Sequence, residues 1–329
     1  MKRLLSAIGL LLCALPARAA CVGTDIYSAA VCADTPAEYL RLDETNFVLN
    51  GVTAADFSGN GKNGRYSAVS TNDLVGSQSG IPGCCGTAVS FNPVATWTGN
   101  NAVIVMCENG GSLQSCDATV STWLSPIGAG TWSAEFWMKF PTASNSPCNT
   151  AFGNIMAKMN NGFSGANTNE WEIYTSCSGA PTIAIGFVIC SNAGFCTAYS
   201  SNGAVGWNGG DQAWHQVVAT WNTTGTVNKI YIDGALGSTV TTTSGTAGIG
   251  TSLMYTGGNL NGVNIVNPLH ATLDEIAFYT SELNSTRILA HYNAGIATAT
   301  CPRLDWPYSV QAPSERRYAT RCDTRHSIQ

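Results

Sequence analysis

The stretch WHQVVATWNTTGTVNKIYIDGAL, residues 214–236, leaves a chain little freedom in what it folds into. His215, Val217, Ala219 and Trp221 alternate with Trp214, Gln216, Val218 and Thr220, and a two-residue period is that of a half-buried strand. Asn222 to Asn228 form a polar break around Gly225. Lys229 to Ile232 resume the strand, and Asp233-Gly234 ends it with a dipeptide that favours tight turns. The same grammar recurs along the chain. WSAEFWMKF, residues 132–140, puts Ala134, Phe136, Met138 and Phe140 on a core face and Ser133, Glu135, Trp137 and Lys139 on the other. In Glu170 to Thr175, Trp171 and Ile173 point inward while Glu170, Glu172 and Tyr174 point outward. Ile183, Ile185, Phe187 and Ile189 make a further inward row. Thr87 to Phe91, Ala271 to Tyr279 and the segment around Tyr39 to Leu42 also read as strands, the last following a short amphipathic piece that begins at Tyr27. Ser281 to Tyr292 reads as a short helix capped by Ser281, with Leu283, Ile288 and Leu289 on one side and Gly295 as its stop. Short strands, Gly-rich turns and little helix predict an all-β, two-sheet antiparallel sandwich.

Residues 1–20 read as an export signal: Lys2 and Arg3, then the apolar run Leu4 to Leu15, Pro16, and the small-x-small site Ala17-Arg18-Ala19. The apolar run is too short to span a bilayer, and no later segment reaches the roughly 18 apolar residues a spanning helix needs. Leader removal takes three basic residues and no acid, making a chain of formal charge −5 more acidic, and this argues against a nucleic-acid partner. Cys13 leaves with the leader, and the even number of cysteines that remain in an exported chain predicts disulfides without giving their pairing. No Cys-x-x-Cys pair suggests zinc. Adjacent Cys84 and Cys85 are expected to have separate partners. A hairpin would bring Cys190 near Cys196, and Cys301 with Cys322 could close a Pro-rich tail over residues 301–329, where basic residues are interspersed with Asp305, Glu315 and Asp323. Residues 21–300 then form one domain.

In their order, WSAEFWMKF, WHQVVATWN, IYIDG and LDEIAFY followed by a short helix resemble the laminin-G-like, concanavalin A-like jelly-roll modules of bacterial and phage surface proteins. The N-terminal half agrees, since YSAAVCADTPAEYLRLDE, DFSGNGKNG and TAVSF are similar to the opening of that family. The resemblance spans about residues 27 to 294. Leu40 departs from the tryptophan usual there, and the many cysteines are atypical. The resemblance implies a structural calcium ion held by Asp56 and Asn60 of the Gly/Asn-rich loop together with Asp274. Calcium takes six to eight oxygens, which such a loop can present around a carboxylate. The alternative for Asp56 is an Asx turn, and for Asp274 a strand neighbour.

Related jelly rolls include glycoside hydrolases, so Glu170 and Glu172 call for a test. Two apart on one strand, their Cα atoms lie about 6.8 Å from each other, compatible with a retaining carboxylate pair. NEWEIY nevertheless lacks the Glu-x-Asp-x-x-Glu arrangement of those enzymes. No His-Glu-x-x-His or Gly-x-Ser-x-Gly motif is present either, so no catalytic residue is assigned. Binding is the stronger reading. Aromatic rings stack on sugars while carboxylates and amides bond hydroxyls, and Glu135, Trp137, Glu172 and Tyr174 lie on outward faces, with Trp207, Asn208 and Asp211 in a loop. The alternative for Trp137 is that a loop covers it. The sequence thus predicts a secreted, non-catalytic carbohydrate-binding or adhesive module that recognises a glycan or cell-surface polysaccharide. The alternative is a self-associating subunit of an extracellular filament or surface layer.

Overall fold

A computed structural model of the chain describes residues 20–44, 52–68, 73–84, 86–91, 102–106, 130–140, 152–158, 170–176, 184–189, 212–224, 227–241, 254–261 and 264–298. Helix α1 (Ile26–Ala33) comes first. Six strands follow: β1 (Glu38–Leu40), β2 (Thr53–Ala54), β3 (Gly64–Ala68), β4 (Leu74–Ser79), β5 (Thr87–Phe91) and β6 (Ala102–Met106). Next come β7 (Trp132–Lys139), β8 (Phe152–Lys158), β9 (Trp171–Ser176), β10 (Ala184–Ile189), β11 (His215–Asn222), β12 (Val227–Ile232) and β13 (Ala235–Thr241). The chain continues through β14 (Met254–Thr256), the small hairpin β15 (Asn259–Asn261) and β16 (Asn264–Val266), then β17 (Ala271–Tyr279) and helix α2 (Ser285–Ile296). The export signal, the tail from residue 301, Trp207, Asn208, Asp211 and most of the cysteines lie outside the described residues.

Two antiparallel sheets form the sandwich. One runs β13-β12-β11-β7-β17-β5-β4, with β1 also on β17; the other runs β10-β9-β8-β14-β6-β3-β2. The opening hairpin lies within the first sheet, where β11 pairs with both β12 and β7. Alternation places the core as expected: Ala134, Phe136, Met138, Val217, Ala219 and Phe278 face Trp171, Ile173, Ile185, Phe187 and Met254 across the interior. Trp132 meets Trp171 at a tilt (5.0 Å between centroids) and Phe187 edge-on (5.5 Å), which ties the sheets together at one end. Aromatic pairs of this kind are worth about 0.5–1.5 kcal/mol beyond their area.

The two helices are the departure from a bare sandwich. Asp25 caps α1 through a reciprocal capping box with Ser28, and the Cys21–Cys32 disulfide ties the segment before the helix to its last turn. Helix α2 begins at Ser285 with Asn284 as its cap, not at Ser281. The reason is a pair of bonds to β7: Ser133 Oγ donates to the Ser281 carbonyl, and Leu283 N donates to Ser133 Oγ. Residues 281–283 are therefore pinned to the sheet before the helix can start. Gly295 does not stop the helix. It lets the helix approach the sheet, since a Cβ there would stand 2.1 Å from Trp137 Cζ2. Helices α1 and α2 together cover the outer face of the first sheet, and Tyr27, Val31 and Ile288 pack there on Trp137, Val218, Ala277 and Tyr279.

Candidate functional site

Glu135 and Trp137 lie on the outward side of β7, as the alternation requires, yet both are 0 % exposed. The expectation that they present an open surface is corrected by the helices above them. Trp137 meets Tyr27 edge-on at 5.9 Å and stacks on Tyr292 at 5.9 Å. Glu135 is saturated. Its Oε1 accepts from Tyr27 Oη (2.9 Å) and Gln216 Nε2 (2.6 Å), and its Oε2 from Tyr279 Oη (3.0 Å) and His291 Nδ1 (2.8 Å). A carboxylate has about four lone-pair sites, so nothing remains for a sugar hydroxyl. His291 Nε2 also lies 2.8 Å from Asp34 Oδ2, at the end of α1, and Arg287 Nε donates to the same carboxylate. Burial by itself would lower the His291 pKa, but the charge and hydrogen bond of Glu135, joined by the charge of Asp34, outweigh it and raise it. This network clamps both helices to the sheet.

The residues expected to hold calcium already make hydrogen bonds within the chain. Asp56 Oδ1 accepts from Tyr39 N (3.0 Å) and Ser58 N (2.9 Å), and Oδ2 from Ser58 Oγ (2.9 Å) and Lys62 N (2.8 Å). Those four donors take the carboxylate's lone pairs, the Asx-turn role. Asn60 Nδ2 donates to the Pro36 and Ala37 carbonyls, occupying oxygens that a cation would want. Asp274 accepts from Ile81 N through Oδ2 and keeps a buried Oδ1 with no partner. The loop as folded does not fit the ion, and among the described residues no three His, Cys, Asp or Glu side chains are placed to hold a metal.

A positive charge is present nearby all the same, and the chain supplies it. A bulge in β17 beside Asp274, with Glu275 at φ 54°, disturbs the pairing with β7. Glu275 accepts from Tyr39 Oη, from Cys84 Sγ (2.7 Å) and from Arg41 Nε (3.3 Å). Arg41 also reaches Asp25 (2.6 Å) and Asp43 (3.4 Å). Burial pushes the Glu275 carboxyl up, and Arg41 with the Cys84 and Tyr39 donors only partly offsets it. Cys84 is a free thiol, contrary to the expected disulfide, and burial followed by the nearby carboxylates raises its pKa.

The outer face of the second sheet is different. Register places Glu172 between Val188 of β10 and Ala157 of β8, with Tyr255 of β14 beyond Ala157. Tyr174, one pleat along, lies across Gly186 of the next strand: a Cβ there would come within 2.3 Å of Cζ and 2.6 Å of the hydroxyl. Ala157, Tyr174 and Val188 make an apolar cluster around the carboxyl group. Glu172 is 0 % and Tyr174 8 % exposed, so the expectation of an open surface is corrected here as well, and among the described residues neither oxygen of Glu172 has a hydrogen-bond partner. Burial is the whole cause of a pKa pushed up to about 8. Glu170 is not its partner in any two-carboxylate device, because it is paired with Lys158 at 2.8 Å. Gly186 and Tyr255 were not singled out from the sequence. The available signal was a glycine inside an apolar strand, which marks close approach of another group.

The laminin-G-type family model of the concanavalin A-like lectin/glucanases superfamily matches residues 98–289, more than half of the chain. The chain belongs to that superfamily. Domain 4 of AbnA, a GH43 extracellular arabinanase from Geobacillus stearothermophilus, solved with arabinotriose, aligns with this member at TM-score 0.47 and 12 % identity over 78 % of this chain and 98 % of that one. The binding domain of Paraclostridial Mosquitocidal Protein 1 gives 0.49 and 14 % over 79 % and 52 %. The ligand-binding domain of botulinum neurotoxin serotype D, in complex with N-acetylneuraminic acid, gives 0.47 and 14 % over 80 % and 52 %. Likenesses of this size carry no activity across. No curated protein matches the sequence.

Proposed function

We propose that this superfamily member is a secreted, non-catalytic carbohydrate-binding or adhesive module that engages a glycan or cell-surface polysaccharide through the outer face of its second sheet. The observation that carries this reading is a difference in how the acids of the two outer faces are satisfied, since Glu135, Trp137, Glu172 and Tyr174 are all buried. On the first, Glu135 and Trp137 are sealed under α1 and α2 and committed to internal partners. On the second, the ring of Tyr174 lies across Gly186 one pleat from Glu172, whose oxygens have no hydrogen-bond partner among the described residues, a stacking surface and a polar group of the kinds that sugar recognition uses. Glycoside hydrolysis by paired carboxylates is disfavoured by the Lys158–Glu170 ion pair, which leaves Glu172 without a second acid. The Cys21–Cys32 disulfide suits an oxidising compartment. No helix among the described residues is long and apolar enough to cross a membrane. A glycan array probed with the protein and its Tyr174→Ala variant tests the reading. Signal on a defined glycan that the variant loses is expected; an array with no signal, or one indifferent to Tyr174, rejects it.

A further inference from the structure

Two stretches of the chain spell Asn-x-Ser/Thr with a residue other than proline in the middle: Asn222-Thr223-Thr224 and Asn284-Ser285-Thr286. In a chain that passes through an export pathway this triplet is an acceptor of N-linked glycan, the asparagine amide nitrogen taking the sugar. The fold treats the two triplets differently. Asn222 ends β11 in register with Val227. Its Nδ2 donates to Glu282 Oε2 (2.6 Å), and its Oδ1 accepts from Thr224 N (2.9 Å). A sugar on that nitrogen would displace a charge-assisted bond. Asn284, Ser285 and Thr286 are all exposed. Asn284 has extended backbone (φ −78°, ψ 161°) just before α2 and caps the helix through Oδ1, which accepts from Arg287 N (3.0 Å). The atom that caps is not the atom that would carry the sugar, so a glycosylated asparagine keeps the capping oxygen.

Resting on the reading that the chain is exported, we infer that Asn284 is an acceptor site for an N-linked glycan. Capping alone explains an asparagine at 284, where aspartate or serine would serve as well. It makes no demand at 286, where an exposed, β-branched threonine is an indifferent helix former. The triplet accounts for both. Its place suits a transferase too, because the first N–H groups of a helix have no partner within it, and a helix end opens at far lower cost than a sheet. Glu282 stands two places before Asn284 and supplies the acid that one-subunit bacterial transferases also require; Thr220 holds that place before Asn222. The donor is an oligosaccharide on a lipid pyrophosphate. A bond forms from the Asn284 nitrogen to the anomeric carbon as the anomeric C–O bond breaks, the lipid pyrophosphate leaves, one amide proton goes to solvent, and nothing is oxidised or reduced.

The experiment expresses the whole chain, with its own leader and in parallel with a substituted one, in a eukaryotic secretory host and in a bacterium carrying a one-subunit oligosaccharyltransferase. Intact-mass and peptide mass spectrometry of the exported protein locate any added sugar. The expected result is a glycan on Asn284 in at least one host, lost in Asn284→Asp and Thr286→Ala, and retained in Thr286→Ser and Asn222→Asp. Asn284→Asp keeps a capping oxygen, so a melting curve like that of the unglycosylated wild type separates loss of the acceptor from loss of the fold. Exported protein unmodified at Asn284 in both hosts overturns the inference, as does sugar confined to Asn222 or a glycan on Asn284 that survives Thr286→Ala. Failure of export with the native leader alone rejects the export reading, and the chain carried out by the substituted leader then decides the acceptor site.

Discussion

A methyl group added to Gly186 would stand 2.3 Å from Cζ of Tyr174, so the ring takes the place that a side chain at that position would need. Gly186→Ala should push the ring off the sheet without touching any ligand itself. If the ring is the stacking surface, glycan affinity should fall by about 3- to 10-fold, the size of one aromatic contact, and Tyr174→Ala should match it. Isothermal titration with the two variants measures this, and full affinity in Gly186→Ala would remove Tyr174 from the binding surface.

The Glu135–His291 contact sets a pH window for stability. His291 binds its proton more tightly in the folded chain, so its contribution is complete below the ordinary imidazole value of about 6.5 and is lost as pH rises through the raised folded value. Glu135 runs the other way. Burial would push it up, but the His291 charge and the bonds from His291, Tyr27 and Gln216 hold it low. Its contribution is therefore present above about 4.5 and lost as pH falls through the depressed folded value. The clamp is strongest between about pH 4.5 and 6.5. Melting curves across pH should show wild type losing its advantage over His291→Gln as the solution turns alkaline. The variant should be less stable by about 3–5 kcal/mol near pH 6, because Glu135 keeps its burial and loses its cation. Parallel curves for the two proteins would show the clamp to be idle.

Arg41 is the cation for Asp25, Asp43 and Glu275. Arg41→Ala leaves buried acids without a counter-charge and should cost about 3–5 kcal/mol in urea unfolding. Arg41→Lys should recover only part of that, since a single ammonium cannot replace a fork that also donates to Thr24. A Lys variant as stable as wild type would mean that charge alone is needed at this position.

Calcium has no vacant ligand set at Asp56, whose four lone-pair sites are filled by Ser58 and Lys62 of the loop and by Tyr39 N of β1. Chelator should accordingly shift the melting temperature by less than about 1 °C, well inside the effect of losing a ligand held at 100 times its Kd. A rise of several degrees on adding the ion would restore Asp56, Asn60 and Asp274 as candidates.

The strands were legible because burial on one face writes a period of two. Thr87–Phe91 and Ala271–Tyr279 have the same ends in sequence and structure. What periodicity cannot say is which element lands on the other face. Trp137 and Tyr174 read alike as outward aromatics, yet one is packed against Tyr292 and the other lies across Gly186. That difference is made by α1 and α2, short helices far apart in sequence whose docking depends on contacts hundreds of residues apart, such as Arg287 with Asp34. Counting cysteines failed at Cys84 for a similar reason. Among the described residues its side-chain partners are Glu275 and Arg41 rather than another sulfur.

The bonds to Glu135 also order events in time. Its donors stand 108 positions earlier, at Tyr27, and 81, 144 and 156 positions later, at Gln216, Tyr279 and His291. A chain emerging from its N-terminus therefore holds this acid long before its cation exists. The two sheets can collapse on their shared interior first, with Glu135 still hydrated, and α2 then arrives as a latch. Refolding followed at Trp137 should end on a separate step that His291→Gln slows; a single phase unchanged by the variant would count against the latch. Maturation of the module, on this account, is finished by its last helix rather than by its first hairpin.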